Sequence, residues 1–193
     1  MNSGIAALPT RDDVLAGRVR LTVDEYERLA QIGILKEADK VELIDGWVRE
    51  KMAHDPIHAG TVRRLDGALL GVLPSGWDCR AQRPVILAAS VPEPDNSVVR
   101  RDPDDYTRRH PTAQDTVLVA EVANSSLDYD RDDKLEIYAL AGIPPYWIVN
   151  VVDRQIEVCT NPAGDRYGDR NDFFPGEAVP LFLDGVHVNA VIA

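Results

Sequence analysis

One continuous apolar run, residues 116–122 (TVLVAEV), constrains the fold of this chain more than any other feature. Its composition is typical of a β-strand that is buried inside a sheet. Glu121 interrupts the run, and a buried carboxylate costs several kcal/mol unless a cation receives it. Because Asp95 precedes this strand and Lys134 lies in the next predicted helix, the pattern indicates a metal-dependent site.

The other segments predict helices and strands in alternation. A capping box beginning at Thr22 starts a helix, and Asp45-Gly46 between two apolar runs is a strong hairpin signal. The predicted elements are, in order, a helix at 22–32, a hairpin at 40–50, a helix at 56–73, strands at 85–89, 96–100 and 116–122, a helix at 130–141, strands at 146–152 and 155–160, and two or three short strands beyond residue 161.

This order of elements favours a mixed α/β sheet covered by helices over an all-β barrel. We expect residues 1–20 to be a flexible N-terminal arm and residues 21–193 to be a single domain. In open α/β sheets, sites tend to form beyond the carboxyl ends of strands. Glu121 lies near such an end, so its position supports a functional role.

The net charge argues against a protein that coats nucleic acid. The chain has 21 Lys and Arg against 32 Asp and Glu, a formal net charge of −11, whereas phosphate neutralisation needs clustered cations. One stretch does cluster them, with Arg100, Arg101, Arg108 and Arg109 followed by His110. These four arginines are candidate DNA contacts, and a solvated loop is the alternative interpretation.

Cysteine usage and hydropathy give further expectations. Cys79 and Cys159 lie far apart and form no C-x-x-C pair, so neither a disulfide framework nor a zinc site is indicated. Residues 1–10 lack the features of a secretory signal, and no apolar run has the length needed to cross a bilayer. We therefore expect a cytoplasmic protein with no membrane partner.

The candidate constellation suits the hydrolysis of a phosphodiester. That reaction needs an activated water, a metal ion and positive charge where the transition state becomes negative. Asp95 and Glu121 offer oxygen ligands for Mg²⁺, and Lys134 could orient or deprotonate the water or stabilise the transition state. Taken singly, these residues could instead be a turn residue, an ion-paired strand end and a solvated helix lysine.

Several motifs together resemble the PD-(D/E)XK nuclease superfamily and, more narrowly, the bacterial Uma-two family of restriction-endonuclease-like proteins. The likeness extends from Leu21 to about Thr160. The motifs that carry it are Glu42-Leu-Ile-Asp-Gly46, His58, Pro94-Asp95, Glu121-Val-Ala-Asn-Ser125, Asp130-x-x-x-Lys134-x-x-x-Tyr138 and Gly142-Ile-Pro-Pro-Tyr-Trp-Ile-Val149.

The resemblance implies a restriction-endonuclease-like mixed β-sheet flanked by helices, with extra C-terminal β-strands. It implies that Asp95 and Glu121 bind the metal, with Glu42 as an additional acidic ligand. The superfamily's usual lysine position, two residues after the second acid, is Ala123 here, and the family resemblance makes Lys134 its replacement. The implied activity is Mg²⁺- or Mn²⁺-dependent DNA cleavage by direct attack of water.

Three further residues could support the site. His58 is a candidate hydrogen-bond partner or proton carrier, Gln82 precedes a strand and could face the site, and Tyr138 could hold Lys134 or contact phosphate. For Tyr138 we favour a structural role in the core. Because cutting both strands of a duplex usually takes two active sites, a homodimer is attractive.

Two other functions remain open at this stage. The first is a catalytically inactive protein that uses the nuclease fold as a scaffold for binding or regulation, since fold alone does not confer activity. The second is a phosphodiesterase acting on small nucleotides, which the acidic charge balance would suit.

Overall fold

The computed structural model describes residues 10–52, 55–183 and 186–191. Its strands are β1 (Val41–Ile44), β2 (Trp47–Glu50), β3 (Trp77–Ala81), β4 (Asn96–Arg100), β5 (Thr116–Ala123), β6 (Pro145–Asn150), β7 (Gln155–Ala163), β8 (Arg166–Phe173), β9 (Ala178–Leu183) and β10 (Val186–Val191). Its helices are α1 (Arg11–Leu15), α2 (Val23–Gln31), α3 (Pro56–Leu70), α4 (Leu127–Tyr129) and α5 (Leu135–Leu140), with a π-helical turn at Asp130–Lys134 between the last two and short 3-10 turns at Glu37–Asp39 and Ala113–Asp115.

Within these residues, six strands form the central sheet in the order β3-β4-β5-β6-β7-β8. Strands β5 and β6 are parallel, and the other neighbouring pairs are antiparallel. The β1–β2 and β9–β10 pairs form separate two-stranded sheets. The predicted mixed α/β fold with additional C-terminal strands is confirmed.

Strand β5 is buried on both faces, which explains its continuous apolar sequence. Leu118 and Val122 belong to the core cluster beneath α3, whereas Val119 and Ala123 belong to the cluster beneath α5. Side chains alternate along a strand, so Glu121 shares the α5 face with Val119 and Ala123. A parallel pair requires a crossover connection, and the helical segment between β5 and β6 provides it. This connection delivers a helix to the face that carries Glu121.

The structure corrects the prediction that residues 1–20 form a flexible arm. Residues 1–9 lie outside the described residues, but residues 10–20 are part of the folded structure. Thr10 caps α1, and Val14 is fully buried in a third core cluster together with Leu29 and Leu43. A helix of five residues with one buried side chain is too short to show a period in the sequence.

Most of the local predictions agree with the structure. Thr22 and Glu25 form the predicted capping box of α2. The turn at Asp45-Gly46 joins β1 to β2, with φ of 46° and 78°. A side chain at position 46 would also collide with Arg20, whose Cγ lies 2.6 Å from the place of a Cβ. Glycine is therefore required at this position.

The predicted strand at residues 85–89 was wrong. Val85 and Leu87 are buried, as a strand would require, but their N–H groups bond to Pro92 and Ser90 carbonyls within an irregular loop. Ile86 makes only an isolated bridge to Thr112. The strand β3 was missed, although its sequence, WDCRA, alternates apolar and charged residues over five positions as a half-buried strand does.

No helix among the described residues is both long enough and apolar enough to cross a membrane.

Candidate active site

A small cleft of about 70 Å³ collects the acidic residues that the sequence singled out. It lies where β1, the N-terminus of α3, the start of β4, the end of β5 and the π-helical turn approach one another. The lining side chains used below are those of Glu42, His58, Asp95, Glu121, Asp130 and Lys134. All six are buried.

Glu121 has partners at both of its carboxylate oxygens. Its Oε2 accepts the backbone N–H of Asp95 at 3.1 Å, and its Oε1 accepts the Tyr138 hydroxyl at 2.7 Å. Lys134 Nζ lies 3.2 Å from the same Oε1. Burial raises the pKa of Glu121 to about 8, although the Lys134 ammonium works in the opposite direction. The desolvation of this carboxyl therefore outweighs the attraction of the Lys134 ammonium.

Lys134 stands between two glutamates. Its Nζ donates to Glu42 Oε2 at 2.7 Å and pairs with Glu121 Oε1 at 3.2 Å. Burial lowers the pKa of this lysine, but the attraction of Glu121 and Glu42 more than compensates and raises it above its ordinary value. Lys134 is therefore a protonated, buried ammonium.

The π-helical turn explains how Lys134 reaches this point. Such a turn contains one more residue than an α-helical turn and often occurs at functional sites. Asp130 and Lys134 lie at its two ends, and both are buried. Tyr138, four residues later, reaches Glu121 from α5, so Lys134 and Tyr138 share one face as predicted. Ala123 is fully buried in the core beneath α5, so β5 offers no space for a lysine there.

Glu42 reaches the cleft from β1. Besides Lys134, its Oε2 accepts the backbone N–H of Glu93 at 3.2 Å, and its Oε1 accepts the Tyr129 hydroxyl at 3.4 Å. The sequence placed Glu42 on a strand, and the structure confirms that placement. Its proximity to Lys134, 92 residues away in the chain, is a tertiary contact that no local pattern contains.

Asp95 lies immediately before β4. Its Oδ2 accepts the Val122 backbone N–H at 2.8 Å and lies 2.9 Å from His58 Nε2. The hydrogen bond with Asp95 raises the pKa of His58. Gln82 Nε2 approaches Asp95 Oδ1 at 3.5 Å. The structure therefore brings both predicted partners, His58 and Gln82, against Asp95.

Asp130 is a site residue that the sequence reasoning missed. Its Oδ2 accepts the Ser126 hydroxyl at 2.6 Å, and burial raises its pKa to about 6. The spacing Asp130-x-x-x-Lys134 was visible, and the regular period of a helix places residues four apart on one face. That spacing was the available signal for a fourth acid in the cleft.

The donor chemistry of the cleft fits a hard divalent cation. The four carboxylates of Glu42, Asp95, Glu121 and Asp130 supply oxygen atoms, and a buried excess of negative charge favours a metal ion. Across the described ranges, however, no three His, Cys, Asp or Glu residues converge into a ready ligand set. The reason is visible in the contacts: Lys134 occupies the space between two of the acids, and Asp95 bonds to Val122 and His58.

The four arginines predicted to contact DNA do not line this cleft. Arg109 pairs with Asp115 at 2.6 Å, Arg108 pairs with Asp104 at 3.3 Å, and Arg100 stacks over the ring of Trp77 at 4.5 Å. Arg101 is exposed immediately after β4. Their role as DNA contacts stays a prediction. The guanidinium of Arg109 is already paired with the carboxylate of Asp115.

Comparison with known proteins gives two similarities. The family model described as "Uma2: Putative restriction endonuclease" matches residues 23–190. The fold is similar to the crystal structure of "a putative nuclease belonging to DUF820" from Anabaena variabilis ATCC 29413, with 16% sequence identity and a TM-score of 0.66. That match covers 83% of this chain and 89% of the other. A search of curated proteins returned no match. The family resemblance noted in the sequence and the expected fold class are both confirmed.

Proposed function

Because the chain belongs to the Uma2 family, we propose that it is a metal-dependent DNA endonuclease that hydrolyses phosphodiester bonds by direct attack of water. The observation that carries this proposal is the contact of Lys134 with both Glu42 and Glu121 in the cleft that also contains Asp95. The fold similarity to a nuclease-type structure supports it.

Asp95 and Glu121, with Glu42 as an additional ligand, would hold Mg²⁺ or Mn²⁺, which would polarise a phosphoryl oxygen and acidify a water. These carboxylates would turn from their present partners to do so. The ammonium of Lys134 would then be available to donate toward the substrate.

Lys134 is best suited to stabilise negative charge. An ammonium has three N–H donors; one of them donates to Glu42, and Glu121 lies at ion-pairing distance, 3.2 Å away. A protonated lysine cannot accept a proton from water, so among the roles considered from the sequence the geometry favours orienting the nucleophile and stabilising the transition state. Removal of the water proton then falls to another group or to solvent.

Tyr138 and His58 position two of the acids, Glu121 and Asp95. Tyr138 is fully buried, and its hydroxyl donates to Glu121, so it holds the carboxylate and does not reach phosphate. His58 holds Asp95 through Nε2, and Asp55 fixes the first turn of α3 by accepting the His58 backbone N–H at 2.8 Å. These contacts support the structural role favoured for Tyr138 and a supporting role for His58.

Cleavage of supercoiled plasmid and of single-stranded DNA, with Mg²⁺ or Mn²⁺, tests the proposal. The comparison is between the wild type, Glu121→Gln, Lys134→Ala and the control Glu136→Gln, an exposed acid on α5. We expect metal-dependent cleavage by the wild type and the control, and a loss of about 100-fold or more in the two site variants. Absence of wild-type cleavage with either metal would favour the scaffold alternative, and cleavage that persists in both variants would place the activity elsewhere.

A further inference from the structure

A groove of about 1000 Å³ adjoins the catalytic cleft. One wall is formed by α2 and residues 35–41, and the other by residues 81–84 after β3. The groove and the cleft share Lys51, Met52 and Glu93, so they are continuous. Gln82 also lines the groove while its amide approaches Asp95, which links the groove directly to the site.

The groove is lined by four Lys and Arg side chains and three Glu side chains, a less acidic balance than that of the whole chain, whose net charge is −11. Lys36, Lys40 and Arg83 line it, are exposed and make no ion pair with any described residue. Lys51 differs, because it pairs with Glu93 at 2.5 Å. Two acids, Glu27 and Glu37, also line the groove. The three unpaired cations are thus available to an anionic ligand.

The size of the cleft shows that a substrate must extend beyond it. A cavity needs about 10–15 Å³ to hold one water, so a cleft of about 70 Å³ holds a few waters or one phosphate but not a nucleotide. The sugars and bases on at least one side of that phosphate must lie in the adjoining space. The groove is large enough for these groups. Its cations lie where the phosphates next to the reacting phosphate would be.

We propose that this groove binds a polynucleotide strand, with Lys36, Lys40 and Arg83 contacting successive backbone phosphates. The inference deepens the proposed function, on which it rests, because it makes the substrate a polymer and not a free small nucleotide. It also assigns strand binding to the groove, whereas the arginines at 100–109 do not line it. Backbone phosphate contacts carry no sequence information, so the groove positions the strand without selecting its sequence.

The test measures binding separately from cleavage. Fluorescence anisotropy of a labelled oligonucleotide, single-stranded and duplex, is measured with Ca²⁺ in place of Mg²⁺ across a range of salt concentrations. The groove variant is Lys36→Gln/Lys40→Gln/Arg83→Gln. The matched control, Arg49→Gln/Arg63→Gln/Arg154→Gln, removes the same charge from exposed positions outside the groove. Circular dichroism checks that both variants are folded.

We expect the groove variant to bind single-stranded DNA about tenfold or more weakly at moderate salt. Its plot of log affinity against log salt should be shallower by about 2, since three phosphate contacts are lost. Hydrolysis of bis(p-nitrophenyl) phosphate, a small phosphodiester that needs only the cleft, should not change. Equal weakening in the two triple variants, no weakening in the groove variant, or no binding by the wild type would overturn the proposal. Binding through the groove without any cleavage would refute the nuclease and leave the groove assignment standing.

Discussion

Lys134 Nζ lies 3.2 Å from Glu121 Oε1, although Glu121 belongs to the central sheet and Lys134 to a π-helical turn outside it. The same ammonium lies 2.7 Å from Glu42 Oε2. One buried cation therefore joins three separate parts of the fold: the N-terminal hairpin, β5 and the helical crossover.

The first prediction concerns the stability that this cation provides. Replacing Lys134 by Met leaves Glu42 and Glu121 buried without their cation, and breaking a buried pair in this way costs about 3–5 kcal/mol. We expect a loss of this size in the free energy of unfolding, measured by urea denaturation in EDTA. Adding Glu42→Gln to Lys134→Met should restore part of it, because one uncompensated charge is removed. A double variant as unstable as the sum of the single variants would show that the two side chains do not interact.

The second prediction concerns pH. The pKa of Glu121 is raised to about 8 and that of Asp130 to about 6 in the folded protein. Both carboxyls therefore bind protons more tightly in the folded than in the unfolded state, and stability must fall as pH rises from about 4.5 to about 8. The raised pKa of His58 acts in the same direction. We expect a lower Tm at pH 8 than at pH 5.5 in EDTA.

Glu121→Gln is the check on this assignment. The amide does not titrate, so the slope of Tm against pH should become flatter between pH 5.5 and 8. Mg²⁺ should raise the Tm of the wild type more at pH 8 than at pH 5.5, because the acids are then ionised and ready to bind it. A Tm in EDTA that does not depend on pH over this range would contradict the unusual pKa of Glu121.

The third prediction concerns metal affinity. Asp95→Asn removes a candidate carboxylate ligand but keeps the size of the side chain, so we expect Mn²⁺ to bind about tenfold or more weakly. The measurement is isothermal titration calorimetry with Mn²⁺. Asp128→Asn, at an exposed position on α4, is the matched control. Equal affinities in the two variants would argue that Asp95 is not a ligand.

The fourth prediction concerns a buried acid outside the site. Glu157 on β7 is fully buried, and it accepts hydrogen bonds from Arg131 Nε at 3.0 Å and Asn150 at 2.9 Å and pairs with Arg170 at 3.1 Å. Glu157→Gln should lower the free energy of unfolding by about 1–3 kcal/mol, the cost of leaving such partners unsatisfied. Both arginines are partly exposed and can still bind water, which keeps the cost at this level.

The comparison that checks this is urea unfolding of Glu157→Gln beside Glu136→Gln, an exposed acid whose replacement should change stability by less than about 0.5 kcal/mol. Since Glu157 does not line the cleft, metal-dependent cleavage should continue in the variant under conditions where it is folded. Loss of cleavage in a folded Glu157→Gln protein would contradict a purely structural role.

Elements whose signals are local were predictable from the sequence. The capping box at Thr22 and the turn at Asp45-Gly46 depend only on neighbouring residues, and the apolar run of β5 records burial on both faces. The strand β3 was missed although a local signal was present, because Trp77, Cys79 and Ala81 alternate with Asp78 and Arg80 over only five residues. Its place at the sheet depends on pairing with β4.

The site was only partly predictable, for a related reason. Asp95, Glu121 and Lys134 were singled out from the residues themselves, but Glu42 was added only by the family resemblance, since its contact with Lys134 across 92 residues leaves no local trace. Asp130 was missed as a site residue because its burial depends on the π-helical turn. For Arg109 the sequence left two interpretations, a DNA contact or a residue of a solvated loop. In the structure its guanidinium is paired with Asp115, which lies near it in the sequence.

Because Ala123 is buried, the strand that supplies an acid to the cleft does not also supply the lysine. The end of β5 contributes an acid and core packing, while the cation is supplied by a turn whose backbone hydrogen bonds are outside the sheet. The position of the lysine is therefore set by the crossover, and a substitution in that turn can change it while the pairing of β5 with β6 is kept.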